Sequence, residues 1–176
     1  MFSFTQQQHT VTIGDVTLGG QPGHYPTVLI GGLFFKGEPN IAQATEHVKQ
    51  MMHLSTQLGN PGILDVFIRK EELIAPILDF IENVLPKTSP FSVDITDPEV
   101  KIKVLQALHD RHLLKRTIYN SIHIGITPEE YAALKQHTPN ATILVAFNPK
   151  DKSPDGKIEV LENGAHLTEK GLFQIA

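Results

Sequence analysis

Apolar and polar positions alternate near the start of the chain, where Val11, Ile13, Val16 and Leu18 flank Gly14-Asp15. That pattern predicts a short β-hairpin with a two-residue turn. A turn-rich link, QPGHYP at 21–26, separates it from five apolar runs. These are TVLIGGLFF (27–35), GILDVFI (62–68), FSVDI (91–95), TIYNSIHI (117–124) and TILVAFN (142–148). Between them lie segments of helical period near 40–58, 70–84, 97–112 and 127–137. In the third, Val100, Val104, Leu105 and Leu108 share one face, as expected of a helix covering a sheet.

Helix boundaries are marked by local chemistry. ITDPEV places Thr96 or Asp97 at an N-cap with Pro98 at the first helical position. ITPEE repeats the arrangement with Thr127, Pro128 and Glu130, a capping-box pattern. LGNPG (58–62) and LPKTSP (85–90) close helices before the next strand.

Alternating apolar strands and helices predict an α/β fold with a parallel sheet covered on both sides. Two architectures satisfy the pattern. One is a five-stranded doubly wound sheet; the other is the front of a TIM (β/α)8 barrel, which typically needs about 250 residues. The last segment, AHLTEKGLFQIA, predicts a helix starting near Thr168 that reaches Ile175-Ala176 with neither Gly cap nor Pro. That favours a barrel shortened before its sixth strand. The expected organisation is one domain over 1–176, with about five βα units preceded by the hairpin and linker of 1–26.

Composition narrows the function classes. With 176 residues, 40% hydrophobic and 19% charged, the chain is long enough for one real core. Its net charge of −4, without any Lys/Arg run, offers no surface for nucleic acid. Cysteine is absent, which removes disulfides, thiolate metal sites and a cysteine nucleophile. MFSFTQQQHTVTIG has no basic n-region followed by an apolar stretch, and no apolar run approaches the roughly 20 residues that span a bilayer. The expectation is a cytoplasmic protein that does not itself span a membrane.

Each strand after the first carries a polar residue in its later half: Asp65, Asp94, Asn120 and Asn148. In parallel α/β sheets the carboxyl ends of the strands build the site, so these four are expected to converge. Two carboxylates and two carboxamides suit a neutral heterocycle edged with N–H, NH2 and C=O groups, such as a pyrimidine-like ring. Each has a structural alternative. Asp65 precedes a helix closely enough to cap it, and Asn148 in FNPKD can simply initiate a turn. Asp94 stands two residues before a better cap, and Asn120 has no helix start nearby. A ligand role is therefore favoured for Asp94 and Asn120, with Asp65 and Asn148 left open.

Other chemistry is weaker. The nine His include no HExxH, and the HDRH at 109–112 reads as two exposed His near a helix C-terminus. IGG and GGQPG lack the spacing of a phosphate loop, and Ser121 has neither a GxSxG elbow nor an evident base. No metal site is expected.

On the blocks GGQPGHYPTVLIGGLFF, GNPGILDV, FSVDIT, RTIYNSI and LVAFNPKD, the chain resembles the H-subunit family of tetrahydromethanopterin S-methyltransferase. Bacterial relatives that move methyl groups between corrinoid proteins and tetrahydrofolate share these blocks. The resemblance runs from end to end, and its most specific pieces are GGQPG-YPTVLIG and IYNSI. It implies a TIM barrel and a methyltransferase acting between N5 of a tetrahydropterin (tetrahydrofolate or tetrahydromethanopterin) and a corrinoid, cobalamin, carried by a partner protein. It also implies that Asp94 and Asn120 line the pterin, and that the protein is a homo-oligomer. Asp65 is expected to join them in substrate binding, and Asn120 and Asn148 to carry the catalytic part.

The chain departs from the family in three places. FKGEPNIAQ is a shorter loop than usual after the first barrel strand, and DVFIRKEE replaces a Gly and Thr-Pro turn. Family chains also continue for roughly a second half-barrel, in which a sixth-strand Asp holding the pterin is expected. Two further readings follow: a shortened, non-catalytic homologue serving as a binding or partner subunit, and a self-contained α/β domain for another small ligand.

Overall fold

The computed structural model describes residues 9–35, 39–123, 125–145, 148 and 150–169, with side chains to 163. Strands β1 (Thr10–Ile13) and β2 (Val16–Gly19) form the hairpin, with Ile13 opposite Val16 across the Gly14-Asp15 turn. The barrel strands are β3 (Leu29–Phe34), β4 (Gly62–Phe67), β5 (Phe91–Asp94), β6 (Thr117–Ile122) and β7 (Ala141–Leu144). They run parallel in chain order, β3-β4-β5-β6-β7. Helices α1 (Ile41–Leu58), α2 (Ile74–Val84), α3 (Pro98–Asp110) and α4 (Pro128–Gln136) connect them, and α5 (Pro154–Glu169) follows β7. Sequential order without a switch point is the open front of a (β/α)8 barrel, not a doubly wound sheet.

The caps explain why the helices start where they do. Asn40, Asp97 and Thr127 accept from the backbone N–H of Gln43, Glu99 and Glu130. The capping box at Thr127 is only half made. Glu130 is buried, and its Oε1 accepts from Lys101 Nζ at 3.1 Å and from the Tyr119 hydroxyl at 2.8 Å instead of reaching back. A buried ammonium needs a counter-charge more than a helix end needs a second cap.

The last helix is the main correction. It begins at Pro154, not near Thr168, with Ser153 Oγ accepting from Gly156 N at 3.2 Å. SPD at 153–155 is the same cap-Pro-acid signal as DPE at 97–99 and TPE at 127–129. The glycines at 156 and 164 obscure it, because glycine is a poor helix former. Residues 170–176, on which the expected helix end falls, lie outside the described residues.

The two faces of the sheet separate cleanly. Leu64, Val66, Phe91, Val93 and Tyr119 pack with α1–α4 in one core, which includes Val104, Leu105 and Leu108. Ile63, Ile118 and Ala141 pack with Val11, Ile13 and Val16 in a second. The hairpin therefore closes the amino-terminal floor of the barrel. It is fastened there by Thr88 Oγ1 donating to Asp15 Oδ2 (2.9 Å) and Asn140 Nδ2 donating to the Thr12 carbonyl (2.8 Å).

Candidate functional site at the carboxyl ends of the strands

The floor residues fix which face is interior. Asp65 stands two residues beyond Ile63, and Asn120 two beyond Ile118, so both lie above the floor on the same face. The strand register then builds two interior rows. The lower is Gly32, Asp65, Ser92, Ile118 and Ala141; the upper is Phe34, Phe67, Asp94, Asn120 and Ile143. Asp94 and Asn120 are register partners on adjacent strands, and Asn120 Nδ2 reaches down to Asp65 Oδ1 at 3.4 Å. Three of the four expected site residues thus converge, all half-buried.

Asp65 does not cap a helix. The turn before α2 starts at Lys70 and Leu73 without a side-chain cap bond. Asn148 does what its alternative reading required. Its Oδ1 accepts from the backbone N–H of Lys150 (3.0 Å) and Asp151 (3.2 Å), and its Nδ2 donates to Glu159 (3.0 Å). The amide of Asn148 is committed to its own turn and to α5.

Electrostatics tune the converged trio. The Asp94 carboxyl is held above its usual range, first by burial and then by the charge of Asp65, while Lys101 pulls it down. Lys101 also donates to the Ser121 carbonyl at 2.8 Å, next to Asn120, where the register with β7 shifts between Asn120 and Ile122. The Lys101–Glu130 ion pair is almost completely buried, and burial together with Glu130 keeps the Tyr119 phenol protonated.

Sequence reasoning missed three contributors. Phe34 and Phe67 share the upper row, their rings 5.7 Å apart and tilted by 39°, with Phe34 60% exposed to the open interior. The period-two spacing from Asp65 to Phe67 was the available signal. Ser92 lies between Asp65 and Ile118 in the lower row with its Oγ buried and without a hydrogen-bond partner among the described residues. A row of acceptors, an amide and an exposed aromatic edge suits a flat heterocycle with N–H groups on its rim.

His109 and His112, grouped by sequence, do not act together. His109 stacks on buried His137 at 4.6 Å, while His112 lies beyond the end of α3. Burial and His109 lower the His137 pKa. Among the described residues, no group of three or more His, Asp or Glu is placed to hold a metal, and no helix is long and apolar enough to cross a membrane.

The family model described as "Tetrahydromethanopterin S-methyltransferase MtrH subunit" matches residues 6–176. The chain belongs to this family. Its relatives include the H subunit of tetrahydromethanopterin S-methyltransferase from Methanothermobacter thermautotrophicus, 35% identical over the whole chain and 59% of that protein. The Methanopyrus kandleri protein of the same name is 34% identical, over 97% of the chain and 56% of its own length. The H subunit of a putative mtx methyltransferase from Methanosarcina mazei is 34% identical over the whole chain and 59% of its length. This member of the MtrH family therefore spans a little under three fifths of the relatives it matches. Dihydropteroate synthase from Thermus thermophilus has the same fold, with a TM-score of 0.60 at 20% identity, over 95% of this chain and 63% of that one. Five strands of a TIM-type barrel with their helices are present here.

Proposed function

We propose that this chain is the pterin-binding part of a methyltransferase that moves a methyl group between N5 of a tetrahydropterin, tetrahydrofolate or tetrahydromethanopterin, and a corrinoid. The observation that carries the reading is the upper interior row, where Asp94 and Asn120 are register partners beside the Phe34–Phe67 edge. Membership of the MtrH family supports it. The corrinoid, a cobalamin held by a partner protein, supplies the cobalt that takes or gives the methyl group.

The chain's own residues bind and position. The Asp94 and Asp65 carboxylates accept the N–H groups on the rim of the ring, and a bound cationic or N–H-rich edge offsets their mutual repulsion. Asn120 is the catalytic contact: its amide offers a donor to ring nitrogen without titrating itself, which suits an N5 that must leave as its electrons return to the ring. Phe34 and Phe67 give the ring a face. Asn148, assigned a catalytic part by its position in the sequence, acts through the turn that starts α5, because its amide is already bonded there. Lys101 is a positioning residue that holds the backbone at Ser121 beside Asn120. The single domain works in the cytoplasm as a homo-oligomer whose partner is a corrinoid protein, with no nucleic acid involved.

Calorimetric titration with 5-methyltetrahydrofolate and 5-methyltetrahydromethanopterin tests the reading, with Asn120→Ala in parallel. Saturable binding that the variant loses is expected. Heat-silent titrations of folded protein would refute a working pterin site in this chain and leave the partner-subunit reading, which the exposed interior residues Ile30 (55%) and Phe34 (60%) favour.

A further inference from the structure

At the opposite end of the barrel, a cleft of about 430 Å³ opens between the loops that precede β5 and β6. Its charged lining is lopsided. Lys87, Arg111, Lys115, Arg116 and His112 face it, and Glu82 is its one acid. Glu82 is already taken, by Arg111 Nη1 at 2.7 Å, so the other cations have no carboxylate partner among the described residues. This concentration of positive charge stands on a chain whose net charge is −4.

Two features make the cleft a built site rather than a stretch of basic surface. Arg116 is only 9% exposed, yet pairs with no acid among the described residues. Its Nη1 donates to the carbonyls of Pro86 (2.7 Å) and Ser89 (3.2 Å), its Cζ lies 5.3 Å from the centroid of the Phe91 ring, and Nε and Nη2 have no protein partner among the described residues. These two nitrogens are not among the buried polar atoms left without a partner, so they stay open to the cleft, where an anion can complete the fork. His112 is the second feature. It ends α3 in the left-handed region, with φ 59°, where its N–H bonds the His109 carbonyl and the Leu113 N–H bonds that of Leu108. Glycine is the default at this position of a Schellman turn. A histidine there accepts backbone strain and adds an imidazole to the cleft wall, and the helix carbonyls that would oppose an anion are already bonded.

We propose that this cleft binds a small anion bearing phosphate groups, clamped by Arg116 from below and by Lys87, Lys115 and His112 from the rim. A planar guanidinium fork with two flexible ammonium groups matches tetrahedral, multiply charged oxygens better than one carboxylate. The volume fits a small molecule and is too short for a nucleic-acid strand. The site is separate from the row of Asp94 and Asn120, so it stands whether or not a pterin binds there.

The test is calorimetric titration of the full chain with inorganic pyrophosphate, repeated with citrate and with a hexaglutamate peptide. Saturable pyrophosphate binding is expected, weakening with added salt and at least tenfold with Lys87→Ala/Lys115→Ala, two exposed positions whose loss leaves the fold intact. His112→Gly is expected to raise the melting temperature while weakening pyrophosphate binding. The proposal fails if pyrophosphate gives no saturable heat, or if the double variant binds as the parent does. Equal binding of citrate overturns the phosphate preference, and binding of hexaglutamate alone makes the cleft a docking site for an acidic peptide.

Discussion

Lys101 and Glu130 form an ion pair of 3.1 Å between α3 and α4, with side-chain exposures of 5% and 2%. Each end has a second partner: the ammonium also donates to the Ser121 carbonyl, and Glu130 Oε1 also accepts from the Tyr119 hydroxyl. The pair thus ties two helices to the strand that carries Asn120. Removing one partner leaves the other charged and buried, which costs about 3–5 kcal/mol. Lys101→Met is expected to lose stability of that order in urea unfolding, and Lys101→Met with Glu130→Gln to recover most of it.

The Asp94 carboxyl binds its proton more tightly in the folded chain than in the unfolded one, because of burial and Asp65. Stability therefore falls as pH rises from the ordinary carboxylate range, near 3.8, through the raised folded value. Asp94→Asn removes that loss. Its melting temperature is expected above the parent's at neutral pH, with the gap closing as pH drops below the ordinary range. The same variant is expected to bind the tetrahydropterin more weakly, since it swaps an acceptor for a donor.

Phe34 is largely exposed, so Phe34→Ala is expected to change stability by no more than about 0.5 kcal/mol. Its effect belongs to the ligand. Pteridine affinity is expected to fall several-fold, in line with about 0.5–1.5 kcal/mol for an aromatic contact. Titration and thermal melting of the same sample separate the two.

Asn148→Leu strips the turn before α5 of four bonds, two of them from backbone N–H groups. The expected loss is about 2 kcal/mol, read as reduced helicity and a lower melting temperature. Pterin affinity is expected to hold. A variant that keeps its helicity but loses affinity would return Asn148 to the ligand.

Gly14 sits at φ 59°, and a Cβ there would meet the Thr88 carbonyl oxygen at 2.0 Å. Gly14→Ala combines left-handed strain with a backbone clash, so a loss of about 1–3 kcal/mol is expected, together with faster hydrogen exchange at Asp15 N, which bonds Thr88.

Much of this was legible because the signals were local. Alternation around Gly14-Asp15 gave the hairpin, and Pro98 and Pro128 after their caps gave two helix starts to within a residue. Asn120 stood out as a polar residue in a strand with no cap to make. Partnership across the fold was harder to read. Lys101, between Val100 and Ile102, looks like a solvated helix charge until α4 and the Ser121 carbonyl enclose it. Phe34 and Phe67 read as core, because nothing local says that the floor below is closed by the hairpin while the space above stays open. Asn148 was ambiguous for the opposite reason: its partners are local, but they lie in its own turn and in a helix that two glycines concealed.

The hairpin's fastenings reach far along the chain, from Thr12 to Asn140 across 128 residues and from Asp15 to Thr88 across 73. The hairpin is thus made well before the residues that hold it in its seat. At ordinary elongation rates, on the order of ten seconds pass before Ala141, which completes the floor, has been made. Val11, Ile13 and Val16 spend that interval without their full set of neighbours, so the floor closes only once Ile118 and Ala141 have joined Ile63.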